Sequence, residues 1–391
     1  MSLVLESPSR ALASGAHPAI FVTFLAFGAA TGLWGGSLPE VVRQAGVTPR
    51  LLGAALTVFM LAYIVSMSSG GWLARRVSLK RILLVSLPAQ GLALAALLQA
   101  PSAQLFFAAF AVFGLITGLI DLVMNAEGTR VEADKGRPIL AGLHGGASLG
   151  MAIGALSGGW LAANLGTWAV SMLGAALFAL AVLMLATGTP DRGIDPPRGV
   201  QAAGGGGRLI LALLGVVVGI SMAGEMTASA WSAPLLIEQA PDFAAWAGTG
   251  AAVFALAQAL IRFQADPLRR RFGDPLLLVL SLAVALVGLA IVTVSPTFAV
   301  SAAGFGLIGL GTACVVPCGF ATAVARSPLA PSASLALVAF ASALPRLPTP
   351  YLVGEIVTRA SIGAAFGMFA ALFLVAIGIG LSLRRKEPAG A

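Results

Sequence analysis

Long apolar runs alternate with short polar segments along this chain, and twelve of the runs are long enough to cross a membrane. They fall at about residues 18–36, 51–73, 82–100, 104–126, 139–163, 168–187, 208–231, 243–264, 275–295, 298–323, 332–356 and 361–383. Each holds about 19 residues or more, enough as a helix to cross a hydrocarbon core of about 30 Å. The pattern predicts an all-α membrane protein of twelve transmembrane helices. One segment between runs is long: 188–207, rich in Gly and Pro, cannot pack and divides the runs six and six. The expected organisation is an N-terminal six-helix bundle over 1–187, a cytoplasmic linker over 188–207 and a C-terminal six-helix bundle over 208–391.

Composition sharpens this picture. Of the 391 residues 58% are hydrophobic and only 10% charged, against about 25% charged in soluble domains. A water-exposed surface cannot be built from so few charges. The net charge of +8 would suit nucleic acid, but the basic residues lie in short loops rather than one patch, so no nucleic-acid partner is expected. Of the 23 basic residues, all but Arg43, Arg50, Arg346 and Arg359 fall in segments that share one side when both termini are cytoplasmic. By the positive-inside rule this sets the expected topology, a multi-pass protein of the inner (plasma) membrane. The first run has only Arg10 before it and no clear cleavage site, so it is expected to stay as a helix. The two cysteines, Cys314 and Cys318, share one apolar run; this excludes a disulfide framework and suits small apolar packing.

Two repeats support duplication. Phe113-Gly-Leu-Ile116 recurs as Phe305-Gly-Leu-Ile308, and the basic loop over 71–80 is echoed by that over 262–271, at offsets of 192 and 191. Duplicated halves are expected to place a solute site at the midplane between them and to permit alternating access. Glycines at 142, 146, 150, 154 and 158 form a smooth ridge on the fifth run. That ridge fits either a sliding contact between the halves or static close packing.

Candidate chemistry begins with Thr117, Asp121 and Asn125, which share one helix face inside an apolar run. A carboxylate in hydrocarbon costs several kcal/mol and marks a functional site by default. The other polar groups inside the spans are His144, Glu225, Gln258 and Arg346. Arg346 lies between Pro345 and Pro348; it could anchor a substrate carboxylate or phosphate, or form an internal pair with Glu225. His144 could relay protons or hydrogen-bond a backbone carbonyl. Glu355 and Arg359, four apart, suit a surface pair. Gly304-Phe-Gly306-Leu-Ile-Gly309 fits a dinucleotide motif only in letters, since no strand-turn-helix surrounds it, and it reads as helix packing.

These features together resemble the major facilitator superfamily, and more specifically a bacterial branch of inner-membrane transporters neighbouring the fucose–proton symporters. The resemblance is carried by Trp34-Gly-Gly-Ser-Leu-Pro-Glu40, the Gly118–Gly128 stretch around Asp121 and Asn125, Gly136-Arg-Pro138 through His144, and Glu225 with Trp231-Ser232. It implies a proton-coupling role for Asp121 and Asn125. The chain departs from the family at Arg75, where an acid is usual and only the second copy keeps one, Asp266; an asymmetric inner gate is implied. It has no acid in span one, and only two Asn and two Tyr, which argues against a sugar. Ala155 replaces the proline of an antiporter motif, and the span-four arginine of drug exporters is absent.

The resulting expectation is a secondary active transporter of a small polar or anionic solute, proton-coupled and monomeric, with no cofactor or metal. Its alternative is a proton-driven exporter of drug-like or amphiphilic compounds, with a non-transporting membrane sensor third. A membrane enzyme is disfavoured, because two histidines, His17 and His144, supply no catalytic set. The expected proton-coupling residues are Asp121, Glu225 and His144. Solute binding is expected at Asn125, Thr117, Arg346, Gln258 and Trp34, and gating at Asp266, Arg137 and Arg75.

Overall fold

Backbone groups in lipid must bond within their own segment, so an apolar chain of this kind has little choice but helix. The computed structural model describes residues 8–137, 139–192, 207–327, 329 and 331–384, and among these every regular element is helical. The elements are α1 (Pro8–Ala45), α2 (Pro49–Ala74), α3 (Leu79–Leu98), α4 (Ala103–Lys135), α5 (Leu140–Leu165), α6 (Thr167–Gly188), α7 (Arg208–Gln239), α8 (Thr249–Phe263), α9 (Ala265–Phe272), α10 (Asp274–Val294), α11 (Phe298–Thr312), α12 (Val315–Arg326), α13 (Pro331–Arg346), α14 (Thr349–Arg359) and α15 (Ile362–Arg384), with a short 3₁₀ turn over Pro241–Trp246. Most of the expected linker falls outside the described residues.

Eleven described segments are long and apolar enough to span a membrane; the expected eleventh span is not one of them. It breaks into α13 and α14 at Leu347 and Pro348. Three prolines, Pro345, Pro348 and Pro350, each remove an N–H donor and crowd the preceding turn, which ends one helix and starts another. The tenth span likewise divides into α11 and α12 around Ala313 and Cys314. Other boundaries shift outward. The fourth run, expected to end near residue 126 with a loop to 138, continues as α4 to Lys135, where Gly136 at φ 61° closes the helix. Polar residues that end a hydropathy window still sustain a helix through pairs such as Glu127 with Arg130, 3.3 Å apart.

By contacts, the chain groups into two units, residues 1–46 with 58–197 and residues 47–57 with 198–391. The first turns of α2 thus belong with the second unit. In the first unit, α1 and α5 lie backbone to backbone. A methyl placed on Gly28 would sit 1.8 Å from the Ala147 carbonyl oxygen, one on Gly150 2.0 Å from that of Leu25, and one on Gly154 2.3 Å from that of Ala29. Gly158 meets Leu33 in the same way, Gly146 meets the Phe21 ring, and Gly142 faces open space. From Gly146 to Gly158 the ridge therefore packs on α1 within its own unit, as close packing of helices requires. In the second unit, Gly219 of α7 approaches the Ser342 carbonyl and Pro345 of α13 with the same closeness. Gly304 packs on α10 at Val292 and Gly309 on the Phe254 carbonyl, so this glycine motif is helix packing.

The two units repeat one contact. A methyl on Gly118 would lie 2.3 Å from the Tyr63 carbonyl oxygen, and one on Gly309 2.1 Å from that of Phe254. The offset of 191 that relates Gly118 to Gly309 also relates Tyr63 to Phe254, and it carries Asp121 to Thr312.

Candidate functional site

In the first unit, the polar face of α4 meets α2 and α3. Asp121 stands near the middle of α4. Tyr63 of α2 donates its hydroxyl to Asp121 Oδ2 in a short hydrogen bond. Asn125, one turn on, donates its amide to Asp121 Oδ1 at 2.9 Å and to the Asp121 carbonyl at 2.8 Å. One turn back, Thr117 accepts from the Gln90 amide of α3 at 2.8 Å and donates to the Phe113 carbonyl. The three residues expected on one face therefore split into two hydrogen-bonded groups one turn apart. Gly118 is what lets Tyr63 come so close, since any side chain there would strike the Tyr63 carbonyl. Both carboxylate oxygens of Asp121 thus accept from a neutral donor, an arrangement that serves the ionised acid and can rearrange around the protonated one.

His144 lies at the α1–α5 contact, its ring edge-on to Phe24 with centroids 5.3 Å apart, and its carbonyl accepts from Ser148. Trp34 is only 5% exposed and packs edge-on against Phe110, which in turn meets Phe106. Its setting is this aromatic cluster, whereas the Asp121 carboxylate is held by Tyr63 and Asn125. Glu127, two turns beyond the site, is 1% exposed and pairs with Arg130.

In the second unit the cluster forms around Glu225 of α7. Gln258 of α8 donates to Glu225 Oε2 at 2.7 Å and to Thr312 Oγ1, at the end of α11, at 3.1 Å. Arg262, one turn beyond Gln258, reaches Glu225 Oε2 at 3.5 Å. The basic-residue pattern puts Arg262 among the loop residues; α8 instead carries it, with Gln258, to Glu225. Glu225 therefore finds its nearest cation on α8. Arg346 ends α13 at the helix break, where its charge complements the carbonyl end of that helix, and it acts on Glu225 more weakly than Arg262 does.

Of the expected gate residues, Arg75 and Arg137 are exposed. Asp266 lies in the first turn of α9, with Arg269 Nη1 4.0 Å away. Arg269 makes its shorter contact, 2.7 Å, to Asp274, and this hydrogen bond raises the pKa of the guanidinium above its ordinary value. The first turn of α5 is served by Glu132, whose Oε2 accepts from the Ile139 and Leu140 N–H groups at 2.7 and 2.9 Å. Glu355 does pair with Arg359, at 2.9 Å, and also with Arg50 at 2.6 Å.

Tyr63, Gln90, Arg262 and Thr312 were not singled out from sequence. A signal existed for three of them: Tyr63 is one of only two tyrosines, Gln90 stands inside an apolar run, and Arg262 falls at the end of the eighth run, 243–264, where it was counted with the basic loop. Thr312 carried none.

The described residues thus form membrane-length helices in two units, each holding an acid among hydrogen-bond donors. The family model described as Major Facilitator Superfamily matches residues 19–222, and the chain belongs to that superfamily. It is 27% identical over 388 residues to "Uncharacterized transporter y4wD" of Sinorhizobium fredii, covering 95% of this chain and 97% of that protein. It is 25% identical over 367 residues to "Membrane protein MosC" of Rhizobium meliloti, covering 92% and 87%. Among solved structures it is similar to the nucleoside transporter NupG, with a TM-score of 0.69 at 14% identity and coverage of 96% and 100%. The human organic anion transporter MFSD10 (TETRAN) follows with a TM-score of 0.59 at 18% identity, covering 96% of this chain and 100% of that one. At these identities the two structures speak for the fold alone.

Proposed function

We propose that this protein is a proton-coupled secondary transporter that moves a small polar or anionic solute across the inner membrane by alternating access. The observation that carries the reading is the Tyr63–Asp121–Asn125 group, a carboxylate held by neutral donors midway along a membrane-spanning helix. Ionised, Asp121 keeps two donors; protonated, it sheds the cost of a charge in hydrocarbon. A proton gradient can drive a solute only through a difference in proton affinity between conformational states, and a group balanced in this way supplies one. Thr117 and Asn125 share the face of α4 that carries Asp121 and offer neutral donors and acceptors to a polar solute. Glu225 and His144 are further proton carriers in this reading, and Gln258, Arg346 and Trp34 further solute contacts. Asp266, Arg137 and Arg75 are the gate residues in this reading. Both termini face the cytoplasm, on the distribution of basic residues.

Asp121→Asn, a mimic of the neutral acid, tests this. Uptake of labelled polar and anionic solutes into proteoliposomes is measured with and without a pH gradient. The variant is expected to keep downhill exchange and lose gradient-driven accumulation. Accumulation with wild-type pH dependence would remove Asp121 from the coupling role.

A further inference from the structure

In the first unit, α2, α3 and α4 leave a groove between them. It has a volume of about 340 Å³, and its walls are Leu73 of α2, Val77 of the loop, Val85 and Ala89 of α3, and Ile116 and Leu119 of α4. Two polar side chains also line it, Arg81 and Ser86. Arg81 and Ala89 stand about 12 Å apart along the axis of α3 at the helical rise. One leaflet of a hydrocarbon core is about 15 Å deep, so the groove runs through most of a leaflet. Val85, Pro88 and Leu92 form an exposed apolar stripe on α3, which in a membrane faces lipid.

The groove is polar at its mouth and at one point inside. At the mouth, Arg81 gives its Nε to Asp191 at 2.8 Å, and its side chain stays 73% exposed. Trp72, half exposed near the end of α2, holds the Arg76 guanidinium over its ring at 3.9 Å. Tryptophan and arginine at a helix end settle at the level of the lipid headgroups. Lys80 is already engaged by the Ala186 and Thr189 carbonyls. Inside, Ser86 is only 5% exposed, yet its hydroxyl makes no hydrogen bond among the described residues. Ser68, Ser69, Ser157 and Ser229 each donate to the carbonyl four residues back, the usual outlet for a helical serine. A buried hydroxyl without a partner is costly, and a ligand that offers an acceptor at that depth removes the cost.

We propose that this groove binds one anionic phospholipid from the leaflet on the side of the 75–78 loop. Arg81 takes the phosphate. Ser86 donates its hydroxyl to the ester carbonyl of one acyl chain. That chain lies over Val85, Ala89, Ile116 and Leu119, and the second chain stays in the bilayer. The order of groups along α3 matches the order in the lipid. Ser86 lies about 7.5 Å beyond Arg81 along the axis, and a glycerol unit separates phosphate from ester carbonyl. Arg76 and Arg81 at headgroup level favour an anionic lipid over a zwitterionic one. The site needs only that the chain spans a bilayer, whatever solute it carries.

Native mass spectrometry of the full-length protein, titrated in detergent with dioleoylphosphatidylglycerol, counts bound lipids one by one. One molecule is expected to bind well before the rest. The diether analogue, which lacks the ester carbonyls, should bind roughly fivefold more weakly, the loss of one hydrogen bond. In Ser86→Ala the ester and the ether should bind alike. Arg81→Gln should narrow the preference for phosphatidylglycerol over dioleoylphosphatidylcholine by roughly fivefold. Ala89→Trp, which fills the groove, should lose the first lipid, whereas Leu183→Trp, on an exposed face of α6, should keep it. Should Ala89→Trp fail to fold, the ester–ether comparison on the wild type still decides. Graded binding with no first tight molecule overturns the proposal, as does equal binding of ester and ether to the wild type. So does an ester–ether difference that survives in Ser86→Ala, an unchanged headgroup preference in Arg81→Gln, or a first lipid that survives in Ala89→Trp. Oleate bound as tightly as phosphatidylglycerol would make this a fatty-acid site and overturn it too.

Discussion

Gly154→Ala places one methyl group into the α1–α5 contact, and the structure sets how much it costs. The added Cβ would lie 2.3 Å from the Ala29 carbonyl oxygen, with the Ala29 carbonyl carbon and Cα both at 3.0 Å. Those neighbours are backbone, so no side chain can swing away. To reach even 3.0 Å from the oxygen the helices must part by roughly 0.7 Å, and the strain of such an insertion is typically about 1–3 kcal/mol. Parting also weakens the close Cα–H contacts to carbonyls at neighbouring glycines, worth about 0.5–1 kcal/mol each. The same gap is shared by Gly150 against Leu25, Gly158 against Leu33, Gly32 against Met151 and Gly36 against Ala155. Less the ~0.5–1 kcal/mol by which Ala favours helix over Gly, the net is roughly 1–3 kcal/mol, and at about 2–4 °C per kcal/mol for a unit of this size the midpoint should fall by roughly 2–12 °C. Gly142→Ala is the internal control, because nothing lies within 4 Å of its added methyl. It should be neutral or slightly stabilising, since Ala favours helix over Gly by about 0.5–1 kcal/mol. Thermal unfolding of both variants in one detergent decides the matter. A Gly154→Ala midpoint at or above that of Gly142→Ala would show that the backbone contact does not hold these helices together.

Glu132→Gln keeps an acceptor for the Ile139 and Leu140 N–H groups but removes the charge at the positive end of α5; it should cost about 1–2 kcal/mol in the same assay, and an unchanged midpoint would rule out Glu132 as a helix cap. The topology predicts that, in a Cys314→Ala, Cys318→Ala background, Ser102→Cys reacts with a membrane-impermeant thiol reagent from outside the cell and Pro196→Cys only from inside; the reverse pattern would refute the orientation.

Much of this protein was legible in its sequence, because lipid leaves the backbone so few options. Runs of about 20 apolar residues specify membrane helices whatever surrounds them. The spacing of Thr117, Asp121 and Asn125 fixes their common direction about the axis of α4, since that direction depends on the helix alone. The glycine ridge of α5 announced a close neighbour. Its partner, α1, lies more than a hundred residues back and was not announced. Prolines at 345, 348 and 350 were visible too, but an average over the run still read it as one span, where local loss of N–H donors breaks it in two. What only the tertiary structure decided is which side chains meet. Tyr63 reaches Asp121 across 58 residues, and Gln258 joins Glu225 to Thr312 across 33 and 54. Those meetings depend on the crossing of separate helices, and a periodicity within one helix carries no information about the helix that crosses it. Arg262 is the sharpest case. Its place at the end of the eighth run, shortly before three more arginines at 269–271, groups it with the basic loop, and only the packing of α7 on α8 sets it against a buried acid.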